Sequence, residues 1–573
     1  MKKTVFKITL LLSSAFFLSA QNSQNQKTQS EPIEEEIELP DVTTVVNGKT
    51  FTAGKDSVPD YSEILPENDS PEIQLPQMDG VKSANNSVDI SERASQKEKD
   101  IYAQGELGAG YPFYFKGDFS IYRASGDSPF EIDFNHESTE GFAREKSNEG
   151  FFERATSVHG KQSFYHENVQ HTLEAEYKMN NDGLQLKSDS YSDTVKHTIS
   201  ANANSDWSLS NGILISYGLD AAWFNRYGQI MKESETAKNF IDSTKIIDFN
   251  PYFGFGWQND SFTAMLTALY GFQGNLDGSD NLLELSGSSS TEHSHRGQFK
   301  LALGWENDLI KVGADGSVIV GSATGKKDVL PAFTALFDFK TDYFTEGRFL
   351  TVLAQGGLQS YQEKIRTLEN TFKFSAMPAI PTETSDWFAK IDVTVPILTI
   401  FEATSGFEFK KTAFENGVWQ AIYNDTNLLS IGNASPSVSS GLYCISPQER
   451  TEFNTDLGFS VDFSPLKAGI EWKSFWKDVP SLEDAQKITL SLEYQSLDAK
   501  WNAGTTTAFA FGKDADTCPD ISAWAGVRLA SRLSLALELN DTVKLFRGAK
   551  RKYAYSQYIT TSGNAMLLVK FQF

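Results

Sequence analysis

Basic surplus, sulfur and long apolar runs are all scarce in this 573-residue chain, and each shortage removes a class of protein. Lys and Arg number 51 against 75 Asp and Glu, a formal charge of −24. Neutralising phosphate takes basic surface, so nucleic acid is excluded as a partner. There are two cysteines, Cys444 in "GLYCISPQ" and Cys518 in "DADTCPDI". Two do not make a disulfide-stapled scaffold; in an oxidising compartment they form a candidate pair, with a spacing that carries no framework signature. Beyond the N-terminus no apolar stretch reaches the roughly 20 residues of a spanning helix. G-x-S-x-G, H-E-x-x-H and a Gly-rich phosphate loop are absent, so no catalytic residue is assigned. His136, two positions before Ser138 in "FNHES", is the nearest approach to a Ser/His site and reads as a polar rim residue. His136, His159, His166, His171 and His197, with His293 and His295 in "EHSHR", show no H-x₃-H or carboxylate spacing, and no metal or cofactor is assigned.

What the chain has is arranged in three parts. Residues 1–20 combine Lys2, Lys3 and Lys7 with the short apolar run "ITLLLSSAFFLSA", the pattern of a cleaved secretory signal peptide. Residues 21–99 are acidic and low in complexity, as in "QNSQNQKTQSEPIEEEIELP", and read as a tether, because such composition buries too little apolar area to offset chain entropy. From residue 100 to Phe573 a period of two takes over. "FKLALGWE" sets Phe299, Leu301, Leu303 and Trp305 against Lys300, Ala302, Gly304 and Glu306; "ITLSLEYQ", "RLSLALELN" and "PFEIDFN" repeat the alternation. The whole region is all-β with one apolar face.

Two architectures use such a pattern: a soluble sandwich with its apolar faces packed inward, or a transmembrane barrel with those faces toward lipid. The barrel is favoured by same-side charges at Lys467, Glu471 and Lys473, which imply water along that face. Segments of about 9–11 residues match tilted spanning strands, and aromatics near strand ends (Trp305, Tyr494, Trp387, Trp472) suit an interfacial girdle. The chain ends "NAMLLVKFQF", with Ala565, Leu567, Val569, Phe571 and Phe573 on one face. About 18–22 strands are expected, an even total being preferred. Three polar stretches, "TEGFAREKSNEGFFERATSVHGKQ", "NLDGSDNLLELSGSSSTEHSHRG" and "DTNLLSIGNASPSVSSGLYCISPQER", read as extracellular loops; Asn307-Asp308 and Ser464-Pro465 read as periplasmic turns.

The signal peptide, the whole-chain alternation and the aromatic C-terminal strand together resemble bacterial outer-membrane β-barrel proteins. The resemblance implies that Val569, Phe571 and Phe573 belong to the strand read by the barrel-assembly machinery. "LLVKFQF" matches its alternating ending but lacks the Gly often found earlier in it. It also implies pairing of that strand with the first, near "GELGAGYPFYF", with the apolar side toward outer-membrane lipid. A second, weaker likeness is to TonB-dependent receptors: Asp41, Val42, Thr43, Thr44, Val45 and Val46 are similar to the TonB box, which adds a strand to a periplasmic energy-transducing partner. The same run also reads as a chance Val/Thr stretch in a linker. That family carries a plug of well over a hundred residues before its barrel, and no such length separates Val46 from the first strand here. The expectation is an outer-membrane pore or transporter for small solutes, not an enzyme. Cation preference follows if the lumen shares the overall acidity. An energy-coupled importer and a non-transporting surface adhesin are the alternatives.

Overall fold

The computed structural model describes residues 101–573 apart from short stretches, the longest being 231–242 and 277–292. The signal peptide, the tether and Asp41–Val46 lie outside the described residues.

Twenty-six strands follow in chain order. The first nine are β1 (Tyr102–Tyr111), β2 (Tyr114–Arg123), β3 (Phe130–Glu140), β4 (Phe152–His166), β5 (Val169–Gly183), β6 (Tyr191–Ser208), β7 (Ile213–Ile230), β8 (Ser243–Gln258) and β9 (Phe262–Asn275). Next come β10 (His293–Glu306), β11 (Ile310–Gly321), β12 (Val329–Thr345), β13 (Arg348–Gln362), β14 (Ser375–Ala376), β15 (Glu383–Ile397), β16 (Phe401–Thr412), β17 (Val418–Ala421), β18 (Leu428–Ile431) and β19 (Val438–Gln448). The last seven are β20 (Thr451–Phe463), β21 (Leu466–Lys477), β22 (Gln486–Gln495), β23 (Trp501–Phe511), β24 (Asp520–Ala530), β25 (Leu533–Asn540) and β26 (Asn564–Gln572). Among the described residues two short α-helices interrupt them, α1 (Ile365–Thr371) and α2 (Thr542–Arg547).

Twenty-two of the strands form one antiparallel sheet. It closes because β1 pairs with β26, from Gln104 opposite Gln572 to Tyr111 opposite Ala565. The terminal Phe573 extends this ladder: its N–H donates to the Ala103 carbonyl at 2.7 Å. Closure removes both sheet edges, the aggregation liability of an open β-sheet.

The alternation decides which side is which. On β26 Leu567 is 51% and Phe573 61% exposed on the outer surface, whereas Met566 and Leu568 are buried inside against Tyr114. Phe299, Leu301, Leu303 and Trp305 likewise stand outward and exposed. On the inner face ion pairs bridge neighbouring strands: Lys570–Glu106 and Lys116–Glu106 at 2.8 Å, and Lys300–Asp315 at 2.9 Å. An apolar exterior around a charged interior is the arrangement of a transmembrane barrel, the inverse of a soluble core.

The two ends differ. Short turns such as 307–309 and 464–465 lie at the end that also holds both barrel termini, and the long connections lie at the other. β6 and β7, 18 residues each, exceed the spanning length and carry the wall beyond the membrane at the long-loop end.

Three expectations need correcting. "FFERATSVHGKQ" is not loop but leads into β4, whose outward positions mix Arg154, Thr156 and Gln162 with Phe152 and Val158. His293 and His295 lie on β10 rather than in a loop. The stretch 425–450 contains β18 and β19, part of a second, four-stranded sheet with β14 and β17. Of the two cysteines, Cys444 lies in register beside Ala376 in the second sheet, and Cys518 directly precedes β24 in the wall.

Candidate functional site: a capped mouth and the recess beneath it

The connection between β13 and β15, residues 363–382, turns into the barrel instead of outward. Its helix α1 places Ile365, Leu368, Glu369 and, one position past its end, Phe372 on one buried face, the i, i+3/i+4 spacing of an amphipathic helix. The helix ends as the chain passes to Phe374, whose φ of 62° lies in the left-handed region. Phe374 then stacks on Tyr558 from the β25–β26 connection, ring centroids 3.8 Å apart. Ser375–Ala376 pairs in parallel with β19, which pairs with β17 in turn. The resulting core joins wall residues Tyr191, Phe224 and Ile246 to α1, to Trp419, Leu442, Tyr443 and Ile445 of the second sheet, and to Tyr558. With Leu184 of the β5–β6 connection in the same core, segments from four connections meet at the long-loop end.

Charge pairs fasten this cap to the wall strands β4–β10. Glu369 is fully buried; its Oε2 lies 2.9 Å from Nε of the equally buried Arg226, and its Oε1 accepts the Met377 N–H at 3.2 Å. Arg226 also donates to Thr244 Oγ1 at 2.8 Å, and Lys196 Nζ donates to the Glu369 carbonyl. Lys373 sits 2.6 Å from Glu153 and 3.2 Å from Asp182. Burial alone would lower its ammonium pKa, but Asp182 and Glu153 more than offset that and hold it well above the usual lysine value. Arg366 Nε meets Asp248 at 3.0 Å, and Lys364 Nζ donates to Asn250 at 2.8 Å. At the two roots of the segment, Gln273 binds both the Glu363 carbonyl and the Ile365 N–H, and Arg296 grips both oxygens of Glu383 at 3.0–3.1 Å. Burial, reinforced by the Asp386 charge, pushes the Glu363 carboxyl up to about 7.

The opposite face of α1 looks along the lumen. Arg366, Thr367, Asn370 and Thr371 line a recess of about 330 Å³ with Glu176, Lys178 and Thr198 of the wall. A second lobe of about 170 Å³ continues past Arg366 and Glu176 to Glu174, Ser200, Asn202 and Asp220. These wall residues lie nearer the short-turn end of β5, β6 and β7 than Asp182, Lys196 and Arg226, which hold the cap. The recess is therefore on the lumen side of the cap.

The sequence-derived residues fall elsewhere. Val569 and Phe573 stand on the outer surface of β26, and Phe571 packs near Phe119 and Phe573. The histidines are scattered: His159 bridges Asp133 and Glu174 on the inner wall, His136 meets Thr156, and His197 stacks between Tyr177 and Tyr227. None of the cap or recess residues was singled out from sequence. The one local signal was the Ile365/Leu368/Phe372 spacing.

No family model matches the chain, and no curated protein matches it. Solved structures do. A variant of the FrpB iron transporter from Neisseria meningitidis superposes with a TM-score of 0.60 at 9% identity, covering 85% of this chain and 83% of that one. A mutant of the ferric enterobactin receptor PfeA from Pseudomonas aeruginosa gives 0.57 at 10%, covering 83% and 80%. The copper transporter OprC gives 0.56 at 11%, covering 82% and 80%. The chain has the 22-stranded barrel fold of TonB-dependent outer-membrane receptors. At such identities the likeness establishes fold.

Proposed function

We propose that this protein is an outer-membrane transporter that admits small hydrophilic solutes through its lumen, with residues 363–382 as the gate. Long loops belong outside and short turns in the periplasm in such barrels, so the cap closes the external mouth. The observation that carries this reading is the cap's construction: an apolar core bound to the wall by buried charge pairs, above a charged, water-facing lumen. Carboxylates exceed cations along the inner wall, Glu174, Glu176, Asp206, Asp220 and Asp248 among them, which supports cation preference.

The test is planar-bilayer conductance of the mature chain beside a variant in which 364–381 is replaced by a short Gly/Ser linker. The intact chain should be closed for most of the record and the variant steadily open, with cations carrying most of the current. A folded variant that conducts no better than the intact chain would overturn the gating role.

A second reading is supported by the fold likeness: opening is driven by a periplasmic energy-transducing partner that binds Asp41–Val46. Deleting those six residues should then abolish solute uptake by cells while barrel assembly is unchanged; undiminished uptake would exclude the coupling.

A further inference from the structure

The recess beneath α1 has a chemistry of its own. Its two lobes meet at Glu176 and Arg366, and neither is lined by an aromatic or long aliphatic side chain. Pockets for apolar ligands are walled by such groups, so this one suits a ligand that is polar throughout. Arg366 serves both recess and cap, since it also ties α1 to Asp248, but the other charged groups of the recess differ from those that fasten the cap. Arg226 and Glu369 are sealed, whereas Lys178 is 50%, Glu174 44% and Asp220 34% exposed to the lumen. Each is mated only to a neighbouring side chain: Lys178 to Glu176 at 2.7 Å, Glu174 to His159 at 2.9 Å and Asp220 to Asn250 at 3.1 Å, while Arg366, committed to Asp248, reaches Asp220 only at 3.8 Å.

Partly exposed pairs such as Lys178–Glu176 contribute little net energy, so exchanging these partners for those of a ligand costs little, and Arg366 keeps Asp248 while its other side turns to the ligand. A ligand of one sign must strip a group from its mate and leave the mate unpaired. A ligand carrying both signs replaces both partners at once, and Asn370, Thr198 and Thr371 offer neutral donors and acceptors between them.

We propose that this recess is a binding site for a small zwitterion, its ammonium held by Glu174, Glu176 and Asp220 and its carboxylate by Arg366 and Lys178. The inference rests on the transport reading only in taking the lumen as the solute's route. Binding is measured in detergent without flux, so failure of one is distinguishable from failure of the other.

The experiment is titration calorimetry on the purified full mature chain with triglycine, 1,5-diaminopentane and glutarate as probes. Triglycine should bind at least tenfold more tightly than either single-sign probe. Glu176→Gln and, separately, Asp220→Asn should each weaken triglycine tenfold or more, while heat-modifiable gel migration shows the barrel still folded. Using two variants keeps the test decisive should one misassemble. Absence of triglycine binding, equal or tighter binding of the diamine or of glutarate, or unchanged triglycine binding in a folded variant would each overturn the assignment.

Discussion

Glu369→Gln should open the gate. The substitution keeps side-chain volume but removes the cap carboxylate that lies 2.9 Å from Arg226, leaving the fully buried guanidinium beside a neutral amide. Breaking a buried pair by removing one partner costs about 3–5 kcal/mol. When the segment is released both groups reach water, so the cost falls on the closed arrangement alone. With about 1.4 kcal/mol per tenfold change, the open-to-closed ratio should rise on the order of a hundred- to a few thousand-fold. Single-channel open probability at fixed voltage reads this directly, and hydrogen exchange of 364–381 reads it independently. The double variant Arg226→Met/Glu369→Leu provides the control, because an apolar pair of similar volume is often neutral or stabilising in place of a buried ion pair; it should close again. The reasoning is refuted if Glu369→Gln stays as closed as the parent, or if the double variant is as open as the single one.

Other consequences follow from the same geometry. The Glu363 carboxyl, at about 7 in the closed state against an ordinary 4.5, favours the closed state fully below pH 4.5 and loses that contribution as pH rises through 7. Opening should therefore increase between pH 5 and 8, by at most about 3 kcal/mol, and Glu363→Gln should flatten the profile; a slope unchanged in that variant would assign the titration elsewhere. At the barrel seam a Cβ on Gly110 would stand 2.1 Å from the Ala565 carbonyl oxygen, whereas one on Gly316 meets nothing within 4 Å. Gly110→Val should lower the yield of heat-resistant barrel, with Gly316→Val as the harmless comparison; equal yields would contradict the seam geometry. Removing Phe573 deletes two ladder hydrogen bonds with Ala103 and the terminal aromatic of the assembly strand. Membrane-inserted protein should fall severalfold in cells, and normal insertion would refute a role in assembly.

The barrel was legible because a two-residue period is imposed wherever one face meets lipid and the other water. Phe299–Trp305, Leu490–Tyr494 and Leu567–Phe573 all carried it, and the closure of β26 on β1 was implied by the resemblance to outer-membrane barrels. The cap was not legible. Seven helical residues give barely two turns of a 3.6 period, and "EKIRTLENTF" is as polar as an exposed loop. What makes it fold inward is its partners: Arg226 is 143 positions from Glu369, and Glu153 is 220 from Lys373. Pairings at that distance leave no local pattern. On β4 polar residues (Arg154, Thr156, Gln162) share the outward face with Phe152 and Val158, so the alternation fades and Phe152–Gln162 resembled a loop. The charged inner wall was foreseen at Lys467, Glu471 and Lys473; the recess was not, because Glu176, Asp220 and Arg366 become neighbours only when the cap is in place.

If residues 363–382 close the lumen, they must move for solute to pass. Asn180 and Asn370 bring wall and helix within hydrogen-bond reach, 3.4 Å between side chains. The decisive measurement is single-channel conductance of an Asn180→Cys/Asn370→Cys variant, with Cys444 and Cys518 replaced by Ser, before and after reduction. A gate that must move leaves the oxidised protein silent and recovers channel openings on adding reductant; equal conductance in both states, with the crosslink verified, would rule the gate out.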